Sequence, residues 1–282
     1  MRLKSRKVSR KVSRNKRNSR KASRNKRNSR KVRNSRNKRN SHKRSRNKDG
    51  DKDKNKNLKI GLGVAVGVAV TAAGSFGLKY LKNQEIAKKA KNEDIFTASQ
   101  KGETDVVEYF LDNGDNVNGT DKNGSTALMV ASENGHTDVV ALLLDRGASI
   151  DAKDDFGKTA LILASENGHT DVVALLLKKG ASIDAKNNLE STGLILASRN
   201  DHTDVVTLLL EKGASIDSKD YLQRTALILA SENGHTDVVA LLLEKGASID
   251  TKDYFGKTAL TVASEKGHTK VVELLENAEN KK

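Results

Sequence analysis

Five of the six histidines in this 282-residue chain recur at a constant spacing, so they are the first residues to test for chemistry. They follow one another at equal intervals and are His136, His169, His202, His235 and His268. A metal ion needs its imidazole ligands within about 2 Å. Equivalent side chains in a stack of repeats are about 10 Å apart, the distance at which helices pack. The spacing therefore argues against a shared metal site and favours histidines that form hydrogen bonds between repeats.

The chain offers few other residues for catalysis. Ser132 and His136 are four residues apart, but they recur with the repeats and no oxyanion-stabilising feature accompanies them. Cysteine is absent, which excludes disulfides, thiolate ligands and a cysteine nucleophile. The glycines at 61, 63 and 67 lack the preceding strand and the spacing of a dinucleotide-binding loop. We therefore expect no enzymatic activity, no cofactor and no metal.

The histidines belong to a repeated block of sequence. SENGHTDVVALLL occurs at 132–144, 165–177 and 231–243, and a diverged copy, SRNDHTDVVTLLL, occupies 198–210. Self-similarity at a fixed period predicts a stacked array of small helical units. Such arrays present an extended surface that suits the binding of a partner.

One unit, 121–153, predicts two helices and a turn. Thr126 precedes a short apolar stretch and is predicted to cap the first helix, which Gly135 ends through a left-handed backbone. Thr137 is predicted to cap the second helix, which has a broad apolar face and ends at Gly147. A single unit cannot bury its apolar face, but stacked neighbours can.

These elements resemble the ankyrin repeat, in which two antiparallel helices are followed by a β-turn finger. The matching patterns are D-x-x-G-x-T-A-L, A-S-x-x-G-H-x-x-V-V-x-L-L-L and G-A-x-I-D. The resemblance implies an all-α solenoid that binds another protein through its fingers and concave face. The units are placed at 92–120, 121–153, 154–186, 187–219, 220–252 and 253–282, the first and last being diverged caps.

The chain departs from the ankyrin pattern at several positions. The histidine of the family's T-P-L-H motif is replaced by apolar residues in the inner units, namely Met129, Ile162, Ile195 and Ile228. In 187–219, Glu190 replaces the turn glycine, Gly193 lies within the predicted first helix, and Asp201 replaces the glycine that ends it. We predict that this unit opens first. Glu276 replaces the leucine of the inner units and is predicted to mark the end cap.

The fingers carry the candidate binding residues. Four of the nine aromatic residues lie there, with two leucines at matching positions, and together they are Phe156, Leu189, Tyr221, Leu222, Tyr254 and Phe255. Exposed aromatics in a row are typical anchors for a protein partner. The alternative is that each packs against the adjacent finger. Separately, Glu133, Glu166, Glu232 and Glu265 recur on the first helices, interrupted by Arg199, and either attract a basic partner or are simply solvated.

The N-terminal segment is strongly basic. Residues 1–59 hold 28 Lys and Arg against three Asp, a net charge of +25, whereas residues 92–282 hold 19 Lys and Arg against 32 Asp and Glu, a net of −13. This low-complexity composition predicts disorder in isolation. Four roles are open for this segment. It could bind nucleic acid without sequence specificity, contact an anionic membrane surface, serve as a targeting signal, or contact the acidic repeats. Ser9, Ser13 and Ser23 each follow an Arg-Lys-x pattern and are candidate phosphorylation sites.

Residues 60–78 form a stretch of nineteen residues without a charge, IGLGVAVGVAVTAAGSFGL. Its length favours a single membrane-spanning helix over a signal-like segment or a flexible linker. Gly63 and Gly67, like Ala65 and Ala69, are four residues apart, a spacing that would allow two such helices to associate closely. Residues 79–91 are a basic, helix-prone connector.

The sequence thus favours a non-enzymatic interaction scaffold, anchored by a single membrane span. The positive-inside rule would then place the repeats on the far side of the membrane, with Asn118-Gly-Thr120 and Asn123-Gly-Ser125 as glycosylation acceptors. The alternative is a soluble nuclear or cytoplasmic adaptor that associates with nucleic acid through its basic segment.

Overall fold

The computed structural model describes residues 74–280, with side chains from residue 82 onward. This part of the chain forms thirteen α-helices and no β-strand. Helix α1 spans Gly74–Lys89 and is followed by six helix pairs. The pairs are α2 Ile95–Lys101 and α3 Thr104–Asp112; α4 Ala127–Glu133 and α5 Thr137–Asp145; α6 Ala160–Glu166 and α7 Thr170–Lys178; α8 Gly193–Arg199 and α9 Thr203–Glu211; α10 Ala226–Asn233 and α11 Thr236–Glu244; and α12 Ala259–Lys266 and α13 Thr269–Glu279.

The pairs stack in two layers. Each first helix contacts the first helix of the next unit, and each second helix contacts the next second helix. The apolar core lies between the layers, where the two valines and the middle leucine of every inner second helix are buried. In α5 these are Val139, Val140 and Leu143, each with no exposed surface. Full burial of one such side chain contributes about 1.5–3 kcal/mol. This repeated cluster stabilises the stack together with the buried residues of the first helices, such as Leu128 and Met129.

The first helix of each inner unit begins as predicted. Thr126 has an extended backbone, and its Oγ1 accepts a hydrogen bond from the Met129 N–H at 3.3 Å. The same bond recurs at Thr159, Thr192, Thr225 and Thr258. The apolar residues that replace the family's histidine are buried: Met129, Ile162, Ile195 and Ile228 are each 0–1 % exposed.

The predicted cap of the second helix is wrong. Thr137 is the first residue of α5, and the N-cap position belongs to His136, which makes no side-chain cap bond. The Nε2 atom of His136 lies 2.7 Å from the Gln100 carbonyl, so this side chain contacts the preceding unit. Asp138 instead places a negative charge in the first turn, near the positive end of the helix dipole.

Gly193 does not lie in a helix interior, contrary to the prediction. It is the first residue of α8, where the cost of glycine relative to alanine is smaller than in the middle of a helix. Its missing methyl group also leaves room for Ser165, since a Cβ at Gly193 would lie 2.8 Å from Ser165 Oγ. Ser165 Oγ donates a 2.7 Å hydrogen bond to the Leu161 carbonyl. The equivalent buried hydroxyls of the other units have no partner in the described region; they belong to Ser99, Ser132, Ser198 and Ser231.

The two ends of the stack are closed differently. At the C-terminal end, Glu276 is exposed, whereas the leucines at this position in the inner units are partly buried against the core. At the other end, Ile86 and Ala90 pack against the core, and Lys82 pairs with Asp105 at 2.9 Å. Helix α1 and the residues just after it therefore cover the first unit, a role that the sequence did not indicate.

Several predicted features lie outside the described residues. They are the basic segment 1–59, with Ser9, Ser13 and Ser23, and the part of the uncharged stretch before residue 74, with Gly63, Ala65, Gly67 and Ala69. Residues 74–78 begin α1, which continues into polar sequence. No helix within 74–280 is both long enough and apolar enough to cross a membrane.

Candidate functional site

The fingers are built on a turn that one acidic or amide side chain organises. In the second inner unit, Asp154 Oδ1 accepts hydrogen bonds from the Phe156 N–H at 2.9 Å and the Lys158 N–H at 2.7 Å. The same double acceptance occurs at Asp121, Asn187, Asp220 and Asp253. Such a turn mimics a backbone turn and is favoured by Asp and Asn. The residue at the fingertip is thus held by a bond to its own N–H.

Adjacent fingers are joined by backbone hydrogen bonds. The Asn188 N–H donates to the Phe156 carbonyl at 2.9 Å, and the Tyr221 N–H donates to the Leu189 carbonyl at 3.0 Å. The same bond links Asp155 to Asn123 and Tyr254 to Leu222. We call this series the fingertip ladder. It fixes the position of every fingertip relative to its neighbours.

The side chains on these fixed fingertips are largely exposed. The exposed fractions are 64 % for Phe156, 55 % for Leu189, 52 % for Tyr221, 72 % for Tyr254 and 68 % for Phe255. Leu222 alone is partly buried. The rings of Tyr254 and Phe255 contact each other edge to face, with centroids 5.5 Å apart. Five of the six residues singled out in the sequence therefore form a row of apolar side chains on a rigid edge, which we call the fingertip row.

Three of the four recurrent glutamates on the first helices are paired with basic side chains. Lys158 and Arg199 both pair with Glu166, at 2.6 and 3.2 Å. Arg224 pairs with Glu232 at 3.8 Å, and Lys257 pairs with Glu265 at 2.5 Å. The hydrogen bond that Lys257 donates to the Glu265 carboxylate raises the pKa of Lys257. Each of the two lysines lies eight residues before its glutamate, a spacing that could have revealed the pairing. The first-helix face is therefore less acidic than the glutamates alone suggest.

The histidines form hydrogen bonds between units, as predicted. The Nε2 atom of His169 lies 2.9 Å from the Glu133 carbonyl, and the other four make the same contact at 2.7–3.0 Å. The ring also packs over the glycine of the preceding unit: a Cβ at Gly135 would lie 2.6 Å from His169 Nδ1. Within the described residues, no group of three or more His, Asp or Glu could hold a metal ion.

Two features of the fingers were missed in the sequence. Gln223 occupies the turn-glycine position with a φ of 59°, so 220–252 departs from the pattern at the same point as 187–219. Asp220, which organises that finger, is 2 % exposed and pairs with Arg224 at 2.9 Å. The glutamine at the turn-glycine position is visible in the sequence when residues 124, 157, 190, 223 and 256 are compared. The burial of Asp220 has no signal in the sequence.

The comparison with known families agrees with this geometry. A family model described as ankyrin repeats in three copies matches residues 68–154, 147–220 and 194–282. Among curated proteins, no sequence matches the chain. The helix pairs, the β-turn fingers and the family match lead to one conclusion: this chain belongs to the ankyrin repeat family.

Proposed function

We propose that this chain is a non-enzymatic scaffold that binds another protein through its fingertip row. Ankyrin repeats generally mediate protein–protein interaction. The observation that carries the proposal is the exposure of the apolar fingertip side chains, which is greatest at Phe156, Tyr254 and Phe255. Large exposed apolar patches on a folded domain mark interaction sites.

The rigidity of the row supports the same function. The fingertip ladder and the turn bonds hold these backbones before any partner arrives. Binding therefore orders little more than the side chains, which keeps its entropic cost low. Aromatic anchors of this kind typically dominate the binding energy of an interface.

Replacement of the fingertip aromatics tests the proposal. The full chain and a variant with Phe156→Ala, Tyr221→Ala, Tyr254→Ala and Phe255→Ala would be used to capture partners, which are then identified and titrated. We expect the variant to lose at least tenfold in affinity, or roughly 1.4 kcal/mol, since truncating one such anchor often costs more. Equal affinity of both chains for every captured partner would refute the role of the row.

A matched control uses exposed residues elsewhere on the same units. Asp138, Asp171, Asp204 and Asp237 are exposed in the first turns of the second helices. Their joint replacement by Ala is expected to leave partner affinity unchanged. Urea unfolding of both variants would establish that each remains folded.

The basic segment supports a second proposal, a contact with polyanions. The net charge of +25 on residues 1–59 favours anionic membrane surfaces or nucleic acid, with the uncharged stretch 60–78 as a membrane span in the first case. Alkaline carbonate extraction of membranes separates the two. Release of the full chain would exclude the span, and retention would support it.

A further inference from the structure

Asparagine is followed by glycine at six places in the chain, all within the described residues. The asparagines are Asn113, Asn118, Asn123, Asn134, Asn167 and Asn233. Glycine has no Cβ, so its backbone nitrogen can approach the side-chain amide of the preceding residue more easily than any other residue's can. Each of these pairs can therefore form a five-membered succinimide ring if the asparagine side chain is free to rotate.

Five of the six side chains are held in place. The Nδ2 atoms of four donate to the carbonyl four residues earlier, at 2.7–2.9 Å; these are Asn113, Asn134, Asn167 and Asn233. Asn118 is held differently, since its Oδ1 accepts a 2.7 Å hydrogen bond from the Ser149 N–H. In each case a hydrogen bond must break before the side chain can reach the glycine nitrogen.

Asn123 differs from the other five. It is exposed at the tip of the first finger, and its side-chain amide has no hydrogen-bond partner among the described residues. The backbone does not distinguish it, because all six glycine N–H groups donate to the carbonyl three residues earlier. For Gly124 this acceptor is the Asp121 carbonyl, at 3.2 Å. Only the freedom of the side chain sets Asn123 apart.

We propose that Asn123 is the site of spontaneous deamidation in the folded chain. The Gly124 nitrogen loses its proton to solvent hydroxide and attacks Asn123 Cγ. The new N–Cγ bond closes a succinimide, the Cγ–Nδ2 bond breaks, and the side-chain nitrogen takes up a proton and leaves as ammonia. Water then opens the ring. Cleavage of the bond to Cγ yields aspartate, and cleavage of the bond to the main-chain carbonyl carbon yields isoaspartate. No electrons are exchanged.

The product would alter the first rung of the fingertip ladder. The Asn123 carbonyl accepts the Asp155 N–H at 3.1 Å. In isoaspartate this carbonyl becomes a free carboxylate, and the main chain continues through the former side chain with one extra methylene. The new carboxylate would also join two others, since Asp121 Oδ1 is bound to the Asn123 N–H and Asp155 Oδ1 lies beside Gly124. Deamidation would therefore mark the first finger covalently and leave the other fingers unchanged.

Peptide mapping of the aged, full-length protein tests the proposal. The chain would be incubated folded and, in parallel, in denaturant, and each Asn-Gly peptide scored for isoaspartate and for the mass gain of amide to carboxyl. In the folded chain we expect Asn123 to react roughly tenfold faster than any of the other five, as a single hydrogen bond can delay them by this factor. In denaturant the six rates should agree within a few-fold.

An Asn123→Ser variant gives the matched control. It should lose the dominant deamidated peptide in the folded state and leave the other five peptides unchanged. The proposal is overturned if another Asn-Gly peptide reacts as fast as Asn123 in the folded protein. It is equally overturned if the six differ in denaturant as they do in the folded state, because the local sequence and not the fold would then set the rates.

Discussion

Three residues of the described chain have a left-handed backbone without being glycine. They are Glu190, Asp201 and Gln223, with φ angles of 58°, 63° and 59°. All three occupy positions where other units place glycine. A side chain in this region typically costs about 1 kcal/mol or more, because Cβ is crowded by the carbonyl oxygen. Strain is therefore concentrated in the units 187–219 and 220–252.

Replacing Asp201 by glycine should stabilise the protein. The substitution removes the backbone strain and also the Cβ beneath His235, whose counterparts in other units pack directly over a glycine. It also removes a weak ion pair, 3.8 Å between Asp201 Oδ1 and His235 Nδ1, which involves an exposed carboxylate and contributes little. We expect the free energy of unfolding in urea to rise by about 1 kcal/mol.

The matched control is the same substitution three residues later. Asp204 is exposed in the first turn of α9, where the backbone is already helical. Asp204→Gly should lower the stability by roughly 0.5–1 kcal/mol. If both substitutions were destabilising to the same degree, the left-handed strain at Asp201 would not be the dominant effect.

The first helices α6 and α8 of adjacent units make a contact that differs from the equivalent contacts elsewhere in the stack, because α8 begins with glycine. Gly193→Ala would improve helix propensity but place a methyl group 2.8 Å from Ser165 Oγ, which would have to give up its bond to the Leu161 carbonyl. We expect no gain in stability from Gly193→Ala alone. In a Ser165→Ala background, the same change should stabilise by about 0.5 kcal/mol or more.

A double-mutant cycle with urea unfolding measures this coupling. The expected interaction energy between positions 165 and 193 is on the order of 1 kcal/mol, because the methyl group at 193 would displace the hydrogen bond from Ser165 to Leu161. Additive effects on the free energy of unfolding would show that Ser165 loses no hydrogen-bond energy when the methyl group is introduced. The equivalent pair Ser132 and Ala160, in which the hydroxyl has no partner among the described residues, provides a comparison.

At the scale of the element, the unit 187–219 should exchange its amide hydrogens first. It contains two of the three strained residues, Glu190 at its finger and Asp201 between α8 and α9. Local opening follows the least stable unit of a solenoid, because each unit contacts only its neighbours. Native-state hydrogen exchange should show the α8 and α9 amides with the lowest protection among the four inner units. Higher protection there than in 121–153 would contradict this expectation.

How far the sequence predicts the structure depends on whether a feature repeats. The helix pairs, the threonine caps and the histidine bonds recur from unit to unit, so one pattern revealed them all. Thr137 was misassigned because a threonine before a helix usually caps it, and the competing contact of His136 crosses units. The docking of Ile86 on the first unit, the burial of Asp220 and the free side chain of Asn123 each occur once. Features of this kind depend on contacts between distant residues and have no periodic signal.

At the scale of the whole molecule, the unit 253–282 differs from the inner units on its outer face. Glu276 is exposed where the inner units place a partly buried leucine, so the outer layer of α13 ends in a charge. Glu276→Leu would restore the inner pattern at a position that the described residues leave exposed. We expect self-association in sedimentation experiments with little change in the free energy of unfolding. Glu273→Leu on the same helix is the control. It tests whether self-association requires a leucine at position 276 or follows from any added apolar side chain on this helix.

Every bond between the inner units spans a nearly constant number of residues. The histidine contact joins residues 36 apart, the fingertip ladder joins residues 32 apart, and the bond from the Ser182 N–H to Asp151, repeated at 215 and 248, joins residues 31 apart. Loss or duplication of one whole unit would therefore recreate each of these contacts at the new junction. The length of the stack can therefore change by one whole unit without the need for a new interface between units.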